Sequence, residues 1–163
     1  MTARRGGRWK PILFAFAAAF LVALLGTTAT DLGPWYQKLA KPPWQPPDWL
    51  FGPAWTIIFA LAAISAAMAW RKAPDGASRE RMVGLFALNA LLNVGWSLLF
   101  FTVKRPDWAL IETSFFWLSI LVLIIVLWRY AKGAALLLVP YLAWVTFASV
   151  LNWEIVRLNA YWT

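Results

Sequence analysis

Five stretches of this chain are long and apolar enough to cross a lipid bilayer, and no other feature limits its fold as strongly. They predict helices over about 11–30, 49–70, 82–103, 108–128 and 134–158. Each is near or above the ~20 residues that span a hydrocarbon core of ~30 Å. Inside hydrocarbon the backbone must satisfy its own hydrogen bonds, so such segments fold as helices. The expectation is therefore an all-α integral membrane protein, a single domain over residues 1–163 built as a bundle of five transmembrane helices. Composition agrees: 62% of the 163 residues are hydrophobic and the mean hydropathy is +0.64, which leaves too little polar surface to coat a soluble globule. The first run follows Arg4, Arg5, Arg8 and Lys10 as a signal peptide would, but no small-x-small cleavage site follows it, so a retained helix is expected.

The net charge of +8 does not point to nucleic acid, because the basic residues sit in loops and at helix ends rather than on one soluble face. They report topology instead. The N-terminal side carries four in the tail, four in the second loop (Arg71, Lys72, Arg79, Arg81) and two in the fourth (Arg129, Lys132). The other side has Lys38, Lys41, Lys104, Arg105 and Arg157. Ten against five predicts a cytoplasmic N-terminus and an outward C-terminus. A bacterial cell membrane is the default location, with an outer membrane as the alternative.

The chain has no Cys and no His. That excludes disulfides, thiolate chemistry, Ser-His-Asp catalysis and haem held by a His or Cys ligand. No metal site and no resident cofactor are expected.

Polar residues inside the apolar runs mark what does not face lipid. Asn89, Asn93 and Ser97 recur at i, i+4, i+8 with Trp96 beside them, a stripe that faces protein, water or ligand. In the last run Pro140, Tyr141, Trp144, Ala148 and Leu151 share a face. Asn152 needs a partner, for which Asn93 is a candidate, and Glu154 can pair with Arg157. Glu112 reads as reaching the membrane interface, with the rest of its helix facing lipid. The Gly26 to Thr30 end of the first run, and the alanines of the second (Ala60, Ala63, Ala67; Ala62, Ala66), suit close packing within the bundle or across a dimer.

There are thirteen tryptophans. Trp9, Trp35, Trp70, Trp108, Trp128 and Trp162 fall at predicted helix ends, where the ring prefers the headgroup region. Trp55, Trp96, Trp144 and Trp153 fall inside helices, where each indole N–H wants an acceptor or a cavity. Between the first two runs lies the one long loop, residues 31–48. Its segment KPPWQPPDWLFGPAWT holds five prolines and three tryptophans. Pro42, Pro43, Pro46 and Pro47 remove four N–H donors and stiffen the chain. This predicts a lid formed by Lys41, Pro42, Trp44, Pro46, Pro47 and Trp49, a second helix capped by Asp48, and Trp55 as the floor beneath.

These motifs resemble the tryptophan-rich sensory protein, or translocator protein (TspO), family, also called peripheral benzodiazepine receptors. The match runs in order through WYQKLAKPPWQPPDWLFGPAWT, LNVGWSLLFF, DWAL and VPYLAWVTFASVLNWEIVRLN, nearly the whole chain. The resemblance implies a five-helix bundle, commonly a homodimer, with a pocket under the first loop that takes porphyrins such as protoporphyrin IX. It implies ligand contacts at Trp55, Asn93, Trp96, Trp108, Trp144, Ala148 and Leu151. Where a member degrades porphyrin in light, the matching catalytic residues are Trp55 and Trp144. The chain departs from the family in having Leu98 where members often have proline, and Trp153 where vertebrate members have the Tyr of a sterol motif, so sterol specificity is not implied.

Three functions compete. The first is a membrane receptor or carrier for porphyrin-like ligands, acting in tetrapyrrole handling or stress sensing, with Lys38 or Lys41 meeting a propionate at the mouth. The second is a light-dependent porphyrin-degrading enzyme. The third is a small-molecule or sterol transporter, set lowest because Glu112 and Glu154 read as too shallow for proton coupling.

Overall fold

The computed structural model describes residues 10–160, and no strand occurs among them. Arg4, Arg5, Arg8, Trp9 and Trp162, used above for topology and the aromatic belt, lie outside the described residues. The elements are α1 (Lys10–Ala29), α2 (Pro34–Lys38), α3 (Asp48–Lys72), α4 (Gly76–Ser97) continued by a π-helix (Leu98–Thr102), α5 (Pro106–Trp128), α6 (Lys132–Leu137) and α7 (Val139–Leu158). Five of the resulting spans are long and apolar enough to cross a membrane: α1, α3, α4 with its π turn, α5, and α6 with α7. The outer faces suit lipid, since Phe14, Phe20 and Leu91 are 72, 70 and 72% exposed. The protein is an integral, multi-pass membrane protein.

Helix boundaries differ from the sequence reading where capping chemistry acts. The third span starts six residues early, at Gly76, because the Asp75 carboxylate accepts the Ser78 N–H at 2.7 Å and caps the helix. That bond holds the Asp75 carboxyl below its usual range. The second span starts at Asp48 itself, with Pro47 as the cap residue and no side-chain cap bond, so Asp48 is not the cap the sequence suggested. The last span is broken at Leu138 rather than continuous. Pro140 has no N–H to offer the turn before it, which ends α6 and re-aims α7. At Leu98 the chain needs no proline to deform. It widens into a π turn closed by Val103 N–H to the Leu98 carbonyl at 2.8 Å, and Phe100 and Phe101 lie buried there.

The fourth span is not lipid-facing as a whole. Ala109, Thr113, Phe116, Ile120, Leu123 and Leu127 of α5 are buried, and α5 packs on both α4 and α7. An apolar neighbour and a lipid tail ask the same of a side chain, so hydropathy could not separate them; a helix apolar all round is one that is buried. In one half of the bundle Ile120, Leu123, Leu127, Leu138, Tyr141 and Val145 pack into the larger buried cluster. There Ser65 donates to the Ala134 carbonyl at 2.8 Å, tying α3 to α6. A smaller cluster at the other end, Tyr36, Phe100, Phe101, Ala109, Leu151 and Ile155, surrounds open space instead.

Candidate functional site

A cavity of about 490 Å³ lies between α1, α3, α4 and α7, beneath the first loop. Of the seven ligand contacts implied by the resemblance, Trp55, Asn93, Trp96, Trp144, Ala148 and Leu151 line it. Trp108 does not: it is half exposed, and the Arg105 guanidinium lies over its ring at 4.5 Å. Arg105 also pairs with the buried Asp107, so the entry to α5 is an ion pair and ring stack rather than a wall of the cavity.

The aromatic walls are held in place by other rings. Trp55 stacks on Phe59 at 5.4 Å and meets Trp144 edge-on at 6.5 Å, while Trp144 is braced by Phe51 at 5.7 Å and Phe147 at 5.5 Å. Across the cavity Trp96 stacks on Phe100 at 5.2 Å. Edge-to-face and offset contacts of this kind fix ring orientation as well as position. The Trp144 Nε1 is shut from solvent and has no partner. Trp153, read from sequence as an internal indole, is half exposed on the outer face of α7. Trp117 instead finds an acceptor, donating to Thr146 Oγ1 at 2.8 Å.

The asparagine stripe does two jobs. Asn89 Nδ2 donates to Ser119 Oγ at 2.8 Å and its Oδ1 accepts from the Tyr141 hydroxyl at 3.0 Å, which locks α4 to α5 and α7. Asn93 Nδ2 donates to the same Tyr141 oxygen at 3.4 Å, and Asn93 also lines the cavity. Asn152 does not pair with Asn93. With its amide turned to satisfy both ends, it donates to the Pro106 carbonyl and accepts from the Leu110 N–H, each at 3.1 Å. Glu154 and Arg157 pair as their spacing predicts, at 2.7 Å.

The loop over the cavity is pinned by residues that the sequence reading passed over. Tyr36, carried by the short α2, donates to Asp48 Oδ1 at 2.9 Å, and Gln45 Nε2 donates to both partners at 3.2 Å. Burial, then the bond to Asp48 and its charge, push the Tyr36 phenol up to about 12. Asn159, at the end of α7, clamps the backbone of Ala40 through bonds of 3.0 and 2.9 Å. Pro42 is buried, Trp44 rests edge-on against Phe147 at 6.0 Å, and Trp49 lines the cavity. Lys41 lies over the Tyr36 ring at 3.7 Å, one side chain behind the cavity wall, and Lys38 is exposed. No spacing rule marks Tyr36 or Asn159; only their contacts across 12 and 119 residues do.

Glu112 corrects another expectation. Both carboxylate oxygens are out of solvent contact and without a partner, and Gly95 of α4 is the backbone they approach. The carboxyl sits between α4 and α5 rather than reaching out to solvent. Glu112→Leu is expected to raise the thermal midpoint of the purified protein, by the equivalent of about 1–3 kcal/mol, because it removes an unsatisfied buried polar group. Glu112→Gln separates loss of charge from loss of polarity. A lowered midpoint for both would show that the carboxyl has a partner in the assembled protein.

Comparison with known proteins places this architecture. Residues 12–158 match the TspO/MBR family. The chain is 43% identical over 131 residues to the tryptophan-rich protein TspO of Chlorobaculum tepidum, covering 77% of this chain and 79% of that one. It is 36% identical over 149 residues to the tryptophan-rich protein TspO of Archaeoglobus fulgidus, with 91% and 92% covered. It is 35% identical over 122 residues to the translocator protein of Bos taurus, with 74% and 72% covered. A match that takes in every membrane span and the loop above the cavity shows that this chain belongs to the TspO/MBR family.

Proposed function

We propose that the protein is a membrane receptor or carrier for porphyrin-like ligands, binding one protoporphyrin-sized molecule under the first loop and serving tetrapyrrole handling or stress sensing. The observation that carries this reading is the lining of the cavity: Trp55, Trp96 and Trp144, from α3, α4 and α7, together with Trp49 of α3, line a space of about 490 Å³, within the ~300–1,000 Å³ usual for small-molecule sites. A flat macrocycle offers faces for Trp55, Trp96 and Trp144. Asn93, which lines the same cavity, supplies a neutral polar contact. Lys41, over the Tyr36 ring that lines the cavity, is a cation for a propionate edge, which it reaches by leaving that ring. A homodimer is part of the same proposal, as is a bacterial cell membrane with the N-terminus in the cytoplasm.

Protoporphyrin IX titrated into the purified protein is expected to quench tryptophan fluorescence saturably at one ligand per chain. Linear, non-saturating quenching overturns the reading. A second reading, light-driven oxidative opening of the bound porphyrin by dioxygen, is favoured by one feature: Trp55 and Trp144 face one cavity from different helices, 6.5 Å apart. The same samples under illumination test it through the rate at which porphyrin absorbance is lost.

A further inference from the structure

A second cavity, about 690 Å³, opens on the other half of the bundle between α1, α3 and α4. At one end stand Lys10, Trp70 and Met82, where α1 begins, α3 is about to end and α4 has begun. At the other stand Val22, Phe59 and Asn89, deep in the same helices. Lys10 to Val22 is about 18 Å of helix at ~1.5 Å per residue, a little over half of a ~30 Å hydrocarbon core. The groove therefore runs from one membrane edge to about the midplane and stops there.

Its walls are almost wholly apolar, and on the α3 side it is lined by the alanines Ala62, Ala63 and Ala66. The polar atoms at the closed end, on Asn89 and Tyr141, are engaged with each other and with Ser119 and Asn93. Nothing in its depth asks for a polar ligand. The open end is cationic. Lys10 lines it, the Arg79 guanidinium lies over the Trp70 ring at 5.4 Å, and Arg71, Lys72 and Arg81 adjoin Trp70 and Met82 in the chain. The acids of that connection are Asp75 and Glu80, and Asp75 is occupied by the Ser78 N–H.

We propose that this groove is a lipid site, holding one acyl chain of an anionic glycerophospholipid from the leaflet on the N-terminal side, with the phosphate between Lys10 and Arg79. A groove that ends at the midplane fits a chain entering from one leaflet; a helix of a second copy would cross the whole membrane. The surplus of cations at the mouth selects the anionic headgroup over a zwitterionic one.

The full chain, stripped of lipid in detergent, is offered dioleoylphosphatidylglycerol or dioleoylphosphatidylcholine and weighed by native mass spectrometry. The glycerol lipid should be retained at one per chain, about tenfold over the choline lipid. Ala66→Phe, which fills the groove, should abolish retention of both. Lys10→Gln with Arg79→Gln, both at the surface, should bring the glycerol lipid down to the choline level, and this pair reads the proposal even if Ala66→Phe fails to fold. Equal retention of the two lipids by the wild type, or unchanged retention by Ala66→Phe, overturns the proposal. So does loss of a dimer mass with Ala66→Phe while neither lipid is retained by the wild type, which would make the groove a contact between copies.

Discussion

Changing Trp55 and Trp144 together to alanine is expected to weaken protoporphyrin IX binding about a hundredfold, read from the midpoint of a fluorescence or absorbance titration. Each indole would stack on or edge against the macrocycle, a contact of about 1.5 kcal/mol beyond the area it buries, and about 3 kcal/mol for two. Both rings are pre-oriented, Trp55 by Phe59 and Trp144 by Phe51 and Phe147, so little ordering cost offsets the gain. The phenylalanine pair keeps most of the apolar area and an aromatic face at each position, and its loss should be about tenfold or less. These variants also separate the two readings. A receptor loses affinity with alanine and shows no light-driven turnover in any form. An enzyme loses turnover already in the phenylalanine pair, which still binds. Wild-type affinity in the alanine pair would move the site out of this cavity.

The membrane architecture was legible because hydrocarbon imposes a length and a polarity that a sequence cannot disguise. Residues 10–29 and 106–128 needed only their apolar runs to be recognised as spans. The stripe of Asn89, Asn93 and Ser97 was legible for the same reason, since amides are too costly to leave facing lipid. What stayed hidden was which apolar face meets protein. Leu123 and Leu127 of α5 are buried while Leu118 and Ile125 face outward, and nothing in their chemistry distinguishes them. Local winding was hidden too. Leu98 opens a π turn without proline or glycine, and the reward for it, two buried phenylalanines packed at 4.8 Å, lies in tertiary contacts. Within the site, the Trp and Asn walls could be named from sequence and resemblance. The fastenings of the loop could not, because Tyr36–Asp48 and Ala40–Asn159 join residues whose neighbourhood exists only in the folded chain.

Those fastenings change what the proline-rich loop is expected to do. Four prolines stiffen residues 42–47, but stiffness alone does not say where the segment lies; the Tyr36–Gln45–Asp48 cluster and Asn159 hold it over the cavity. Asp48→Ala removes the acceptor for two of these bonds, one from a buried phenol. It is expected to raise the rate of porphyrin escape about tenfold, for a loss of about 1–2 kcal/mol, with helix content unchanged by circular dichroism. Changing Pro42, Pro43, Pro46 and Pro47 to alanine should also speed escape, through the freedom restored to the open loop. The wild type adds a pH signature. The Tyr36 phenol is raised above its free value of about 10, so its neutral form is the one the fold favours. That stabilisation is whole below pH ~10 and is lost as pH climbs through about 12. Escape should therefore accelerate over that window in the wild type and lack that step in Tyr36→Phe, which has no phenol to ionise. Equal escape rates for the wild type and Asp48→Ala would mean that the loop does not control exit, and that the ligand leaves sideways between the helices.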